Sequence, residues 1–371
     1  MSLTSGPGKA GEATDGRYGL TGFHDLHKGG WSDSGGSSES SLGIRLVLRS
    51  RDKEIYGMPK VTVVGAGMVG SCAASQVARE GWADVVLLDA NGDLAKGKAL
   101  DIAHSLYLDG SPSRVEGGDD YRLAEGSAAA IITAGFPRKP GMSREDLLRR
   151  NAEVVSEVTG RLLEVTGPLP LVVVTNPLDL MAYLVWRVSG LPREMVMGMA
   201  GMLDGARYAF HVSQELGVRL SEVRPVVVGT HGDEMFPLPR FTTVGGKPLA
   251  DLLPREKLEE LEKRTREAGA EVVRLLRSGS AHFAPGACAA RMARCLVTGE
   301  RLEVPCSVRL EGEYGIRGVF LGVPVVLSAG GWERIVELPL RGEEVSRLEE
   351  AAEAMRRRME ELDAWLEGTL P

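Results

Sequence analysis

Three glycines at positions 65, 67 and 70 directly follow the apolar run 61–64 and open a stretch with helical periodicity. In such a motif the first glycine allows a tight turn, the second lets a ligand approach the main chain, and the third lets helix and strand pack closely. The N–H groups at the start of the helix then face a pyrophosphate. The motif predicts a dinucleotide-binding turn that consists of Gly65, Ala66, Gly67, Met68, Val69 and Gly70.

Asp89 ends the next apolar run, Val85–Leu88. A carboxylate at the end of a second strand can accept hydrogen bonds from both hydroxyls of an adenosine ribose, whereas it would repel a 2′-phosphate. The position of Asp89 therefore predicts NAD rather than NADP as the cofactor.

Short apolar runs alternate with helical patterns through residues 60–199, which predicts a Rossmann-type doubly wound parallel sheet in an α/β protein. The predicted strands are Val61–Val64, Val85–Leu88, Ala130–Thr133, Leu171–Thr175 and Val196–Met199, and the clearest helical patterns are Ser143–Thr166 and Leu178–Ser189. The second half has a mixed pattern, in which a helix over Asp204–Leu216 leads into a strand over Arg224–Val228, and it predicts an α+β substrate domain. We expect a disordered extension over residues 1–57, because 12 of its residues are Gly and 9 are Ser. The predicted NAD-binding domain covers residues 58–202 and the catalytic domain residues 203–371.

Composition argues against several classes of protein. A net charge of -7 disfavours nucleic acid as a partner, and no apolar run approaches the roughly 20 residues that span a membrane. The 4 cysteines form no C-x-x-C pair and predict reduced thiols in a cytoplasmic protein. No His, Cys and Asp cluster has the spacing of a metal site.

His231 is the most promising of the 6 histidines for proton transfer. It lies in Gly229–Asp233, a polar turn with flanking glycines that follows an apolar strand. An imidazole there is accessible, and its ordinary pKa near 6.5 suits proton exchange with an alcohol. Asp204 is a candidate to orient the ring and stabilise its charged form, although spacing alone does not show that the two residues meet.

Several further polar residues follow predicted strands, where ligands bind in such a sheet. Arg138 and Arg144 belong to a Gly- and Pro-containing loop that could close over a substrate or could be an ordinary solvated loop. Arg207 lies one helical turn from Asp204, which a surface ion pair would also explain. Asn176 ends the run Leu171–Thr175.

In order and spacing, these motifs resemble the lactate and malate dehydrogenase family over about residues 58–371. The resemblance implies that His231 exchanges the substrate proton while hydride moves between C2 and NAD, that Asp204 supports His231, and that Arg207 binds the C1 carboxylate. It further implies that Arg144 polarises the C2 carbonyl and that Asn176 binds substrate. The cofactor would also contact Asn151, Val174, Thr175 and Asn176.

Arg138 sets the expected substrate within this resemblance. A cation there matches the second carboxylate of oxaloacetate, whereas lactate dehydrogenases commonly have Gln, so a small dicarboxylate, malate or oxaloacetate, is expected. Lactate or another 2-hydroxy acid is the alternative, and a non-catalytic NAD-binding protein is a second one. Met68 and Gly205 depart from the Asn and Ser often found in the family, which bears on affinity. The family also implies a homo-oligomer, either a dimer or a tetramer.

Overall fold

The computed structural model describes residues 57–136 and 143–369. The disordered extension predicted for residues 1–57 lies outside this range except for Gly57, and Arg138 lies outside it as well. None of the helices in the described range is long and apolar enough to cross a membrane.

Strands and helices alternate through the first half. Six strands form one parallel array in the order β3-β2-β1-β4-β5-β6. They are short, and five of them are largely buried, whereas three of the four residues of β3, at the edge of the sheet, are partly or fully exposed. The parallel, doubly wound sheet predicted from the sequence is thereby confirmed. The strands are β1 (Lys60–Val64), β2 (Asp84–Leu88), β3 (Val115–Gly118), β4 (Ser127–Ile132), β5 (Leu171–Val173) and β6 (Val196–Gly198).

Four helices connect these strands and a fifth follows β6. Each of the connecting segments crosses over so that the strands it joins run in the same direction. The helices are α1 (Met68–Glu80), α2 (Gly92–Asp109), α3 (Arg144–Thr166), α4 (Leu178–Ser189) and α5 (Ala200–Leu216).

The second half extends the same sheet and adds two small ones. A single antiparallel pair, Ser307 with Gly198, joins β12 to β6, so the sheet has nine strands in the described chain and is mixed. The long strands are β12 (Leu302–Glu311), β13 (Arg317–Ser328) and β14 (Gly331–Ile335). The short strands are β7 (Val223–Arg224), β8 (Val227–Val228), β9 (Phe236–Pro237), β10 (Thr243–Val244) and β11 (Lys247–Pro248). The helices are α6 (Arg255–Leu276), α7 (Phe283–Thr298) and α8 (Glu343–Thr369).

Three elements differ from the pattern in the sequence. The single strand expected over residues 224–228 is two strands, β7 and β8, because Pro225 between them has no N–H to donate. Helix α5 begins at Ala200 rather than at Asp204, where glycines had weakened the helical pattern. Strand β3 was not predicted, since two of its four residues are glycine.

The sheet order creates a crevice where the candidate site lies. Connections leave β1 and β4 in opposite directions, so the carboxyl ends of these adjacent strands open a gap between them. Gly65 follows β1 there and Thr133 follows β4. Helix α7 packs closely on α1, and a Cβ at Gly286 would lie 2.7 Å from the Cβ of Cys72. This close approach anchors the second half of the chain against the crevice.

Candidate active site

The turn after β1 has the geometry of a phosphate-binding loop. Gly65 adopts a φ of 110° and its N–H donates to the carbonyl oxygen of Leu88 at 2.7 Å. A Cβ at Gly70 would lie 1.8 Å from the carbonyl oxygen of Gly65, so α1 reaches the strand only because Gly70 has no side chain. At Gly67 a Cβ would meet nothing within 4 Å, and no described side chain caps α1. The first N–H groups of α1 are therefore available to a pyrophosphate, and the turn fits a dinucleotide.

Asp89 lies beside this turn, as predicted for a ribose-binding carboxylate. Its Oδ2 accepts a hydrogen bond from the N–H of Ala66 at 2.7 Å, and its Oδ1 accepts one from the N–H of Asn91 at 2.9 Å. Lys98 donates to the carbonyl oxygen of Ala66 at 2.6 Å and holds the turn from the other side. Sequence reasoning missed Lys98, since a lysine within a helix carries no local signal of such a contact.

The remaining predicted cofactor residues line two sides of the crevice. Ala66 is fully buried beneath the turn, whereas Met68 is 55% exposed. Val69 and Val174 both line one cavity. The hydroxyl of Thr175 donates to the carbonyl oxygen of Ala134 at 2.7 Å, so it ties the ends of β4 and β5 together. Direct contact of these residues with the cofactor stays a prediction.

Asn151 links the two strand ends from helix α3. Its Oδ1 accepts from the N–H of Phe136 at 2.7 Å, and its Nδ2 donates to the carbonyl oxygen of Asn176 at 2.7 Å. The side chain is 1% exposed, so these hydrogen bonds are sheltered from water. Asn151 therefore holds Phe136, which precedes the arginine loop, and Asn176, in the segment that follows β5.

The structure describes the main chain at Arg144 but not Arg138. Arg138 lies outside the described residues. Arg144 is the first residue of α3, directly after Ser143, which caps this helix in a reciprocal pair with Asp146. The Ser143 hydroxyl accepts from the Asp146 N–H at 2.9 Å, so the end of the loop is attached to a well-defined helix start.

His231 and Asp204 meet, as the sequence had suggested. Nδ1 of His231 lies 2.8 Å from Oδ2 of Asp204, and the Asp204 side chain is only 2% exposed. Because an ionised carboxylate can only accept, Nδ1 carries the hydrogen. The other ring nitrogen, Nε2, is then free to exchange a proton with a ligand.

Opposing effects act on the pKa of His231. Burial lowers it, whereas the charge of Asp204, the hydrogen bond to Asp204 and the charge of Asp179 raise it, and Arg207 lowers it. The carboxylates outweigh burial, so the pKa of His231 lies above its usual 6.5. The ring therefore holds a proton to higher pH than a solvated histidine does.

Arg207 completes a row of three side chains on this wall of the cavity. Its Nη1 lies 3.5 Å from Oδ1 of Asp204, so Asp204 contacts both the imidazole and the guanidinium. Gly269 on α6 leaves the room that Arg207 occupies, because a Cβ there would lie 3.3 Å from Nη2. The Arg207 side chain is 17% exposed, so its guanidinium is largely shielded from water, and its planar shape suits a carboxylate ligand.

His231, Asp204 and Arg207 line one cavity of about 330 Å³. Its volume is at the lower end of the range for small-molecule sites. The nucleotide-binding turn contributes Val69, so proton-transfer and cofactor elements share one space. The cavity wall includes Val69, Val174, Asn176, Asp204, Arg207 and His231.

A charged network that sequence reasoning missed supports the His231 turn. Glu234 accepts a hydrogen bond from the Thr230 hydroxyl at 2.7 Å and from both Nη atoms of Arg358 on α8, at 2.5 and 3.1 Å. The main-chain N–H of His231 donates to Asp179 on α4 at 2.6 Å. Residues from distant parts of the chain thus hold the turn, and only folding brings them together.

Comparison with known proteins identifies the two halves. Residues 59–198 match the family described as lactate/malate dehydrogenase, NAD binding domain. Residues 201–365 match the description lactate/malate dehydrogenase, alpha/beta C-terminal domain. Together the two matches cover nearly all of the described chain.

Individual relatives agree with this result. The malate dehydrogenase of Dehalococcoides mccartyi is 46% identical over 299 residues, which is 81% of this chain and 97% of that protein. The crystal structure of malate dehydrogenase from Salinibacter ruber superposes with a TM-score of 0.80 at 40% identity, over 84% of this chain and all of the other. A lactate dehydrogenase from Cryptosporidium parvum, solved with lactic acid and NAD, gives a TM-score of 0.80 at 37% identity, over 85% and 99% of the two chains.

Replacing Asp204 with Asn should lower the pKa of His231. The change keeps the size of the side chain but removes the charge that favours the imidazolium, so burial then dominates. Titration of ¹³C-labelled histidine by NMR measures this pKa without any substrate. Asp101→Asn, at an exposed position of α2, is the control and should leave the titration in place. An equal pKa in wild type and Asp204→Asn would contradict the assignment.

Proposed function

The chain belongs to the lactate/malate dehydrogenase family, and on this basis we propose that it is a malate dehydrogenase that oxidises malate to oxaloacetate, reversibly, with NAD. The observation that carries the proposal is the buried Asp204–His231 pair beside Arg207, in the same cavity as the nucleotide-binding turn. In this proposal His231 is the proton acceptor and Arg207 the carboxylate-binding cation, beside the cofactor site. Those are the parts that oxidation of a 2-hydroxy acid needs.

His231 exchanges the proton of the substrate hydroxyl. During oxidation Nε2 accepts this proton, and Asp204 stabilises the imidazolium that forms. NAD, when bound, accepts the hydride that leaves C2. Oxidation requires neutral His231, so its rate rises as pH increases through the raised pKa of this residue. Reduction of oxaloacetate requires the protonated ring and declines over the same range.

Arg207 binds the C1 carboxylate of the substrate in this proposal. Its planar guanidinium can donate two parallel hydrogen bonds, which fixes the orientation of the substrate as well as its position. The nearby Asp204 charge keeps the guanidinium in place between substrate and helix. Asn176, which also lines the cavity, is proposed to hydrogen-bond the substrate.

Two arginines, Arg138 in the loop before α3 and Arg144 at the start of α3, complete the proposed substrate site. Arg144 polarises the C2 carbonyl of oxaloacetate, where negative charge develops during reduction. Arg138 binds the second carboxylate. The family motifs in the sequence support both roles. Further support is that Phe136, at the start of the loop, and Asn176, which lines the cavity, both form hydrogen bonds with Asn151.

The glycine turn and Asp89 account for the choice of cofactor. The available N–H groups of α1 bind the pyrophosphate, and Gly67 leaves space for its approach. Asp89 accepts hydrogen bonds from the adenosine ribose hydroxyls and disfavours an added phosphate there. Because α1 begins at this turn, its dipole adds to the attraction.

A substrate comparison tests the proposed function. We expect fast oxidation of NADH with oxaloacetate, slow oxidation with pyruvate, and little reaction when NADPH replaces NADH. Absorbance of the reduced cofactor gives kcat/KM for each combination. A preference for pyruvate would make the protein a lactate dehydrogenase, and no reaction with either acid would contradict the proposal.

Replacing Arg138 with Gln should shift selectivity from oxaloacetate toward pyruvate. The variant loses the cation that pairs with the second carboxylate, and it no longer leaves a guanidinium unpaired when pyruvate binds. We expect the kcat/KM ratio of oxaloacetate to pyruvate to fall by roughly tenfold or more, which corresponds to about 1.4 kcal/mol. Lys139→Gln removes a neighbouring charge from the same loop and is the matched control. An unchanged ratio in Arg138→Gln would rule out this role.

The protein is further proposed to be a homo-oligomer, either a dimer or a tetramer. Support comes from one face of α2, where Leu100, Tyr107 and Leu108 are 58%, 88% and 85% exposed. Such an apolar helix face is costly in water unless another surface covers it. Light scattering should give two or four times the chain mass of 39.8 kDa, and a monomer at micromolar concentration would contradict the proposal.

A further inference from the structure

Asp179 is an acidic residue in a setting that ordinarily excludes charge. It is the only charged residue of the stretch 178–186 and occupies the second position of α4. The residue is 5% exposed. Burial of a carboxylate in this way is costly unless other groups satisfy it, so its place in the fold calls for a physical reason.

The carboxyl of Asp179 has one strong contact, and that contact is with His231. Its Oδ2 accepts the main-chain N–H of His231 at 2.6 Å. Its Oδ1 has no hydrogen-bond partner among the described residues. The hydroxyl of Ser307 on β12 lies near enough to the carboxyl to favour its ionised form and lower its pKa, although the two make no hydrogen bond of standard geometry.

We propose that Asp179 is a positioning residue for His231, which holds the main chain of the His231 turn and stabilises the protonated imidazole through its negative charge. The ring of His231 is then fixed by Asp204 and its backbone by Asp179. The inference rests on the proposed function only in taking proton exchange at His231 as a step of the reaction.

The surroundings of Asp179 act on its pKa in both directions. Burial is the largest effect and, with the charge of Asp204, keeps the pKa of Asp179 above its usual value, although Ser307, the His231 N–H and the imidazolium lower it. Protonation of His231 therefore opposes the effect of burial, because the imidazolium favours the ionised carboxyl. The start of helix α4 also favours a negative charge. The charged groups around the pair are Asp204 and Arg207 on α5, Asp233 in the turn and Arg358 on α8.

Loss of the Asp179 charge should therefore shift the titration of His231 to lower pH. In Asp179→Asn the amide oxygen can still accept the His231 N–H, so the variant removes charge and keeps the acceptor. An opposite charge at close range ordinarily changes a pKa by about one unit or more. We expect a downward shift of that size for His231, and the pH profile of oxaloacetate reduction should move with it.

The test is NMR titration of ¹³C-labelled histidine in the full-length, ligand-free protein, with the His231 signal identified by its loss in His231→Gln. The matched control is Asp93→Asn, which removes a carboxylate from the same second position of a different helix, α2, where it is exposed. The titration of His231 stays unchanged in this control if the loss of a negative charge at a helix start has no effect by itself. Ser307→Ala is a second variant. It weakens ionisation of Asp179 and should give a smaller shift in the same direction.

The outcomes separate the inference from the proposed function. A downward shift in Asp179→Asn and Ser307→Ala, with none in Asp93→Asn, supports the role of Asp179 whatever the substrate is. An unchanged His231 titration in Asp179→Asn overturns it, because the carboxyl would then be uncharged while His231 titrates. If Asp179→Asn does not fold, an unchanged titration in Ser307→Ala overturns it instead. Turnover of oxaloacetate by the wild type is measured separately and decides only the proposed function.

Discussion

The buried carboxylate of Asp204 is the interaction on which the rest of the site depends. One of its oxygens lies 2.8 Å from the His231 ring and the other 3.5 Å from Arg207. A carboxylate that is nearly inaccessible to water must find partners within the protein, so the fold holds the imidazole and the guanidinium in fixed positions. Proton transfer and carboxylate binding are thereby tied to a single side chain.

The parallel sheet brings that side chain to the cofactor. Successive strands end at the same edge, and the segments that follow them carry the glycine turn, Asp89 and Asn176. Helix α5 starts directly after β6 and places Asp204 at this edge. The second half of the chain returns through β12 to the side of β6, and the bridge between Gly229 and Gly322 of β13 brings the His231 turn within reach. The site is therefore a consequence of strand order as much as of residue type.

Much of the fold followed from local patterns. Apolar runs of the right length located five of the six parallel strands, and the helix Leu178–Ser189 has the bounds that its periodicity indicated. The pattern was less informative where the local composition was ambiguous. Strand β3 contains two glycines, and Pro225 divides a run that otherwise reads as one strand. In both places the tertiary pairing decides the structure, because neighbouring strands supply the hydrogen bonds that the local sequence does not favour.

The sequence by itself determined the chemistry that is present: a glycine turn with a following acidic residue, a histidine in a polar turn flanked by glycines, and arginines near strand ends. Each of these has a local signature, since it depends on backbone freedom or on residue type within a short segment. Tertiary structure alone decided which groups meet. Asp179, Lys98 and the pair Glu234–Arg358 act over long separations in sequence. Their contacts depend on distances of about 3 Å between elements whose relative positions are set by packing of the whole core, and no local pattern contains that information.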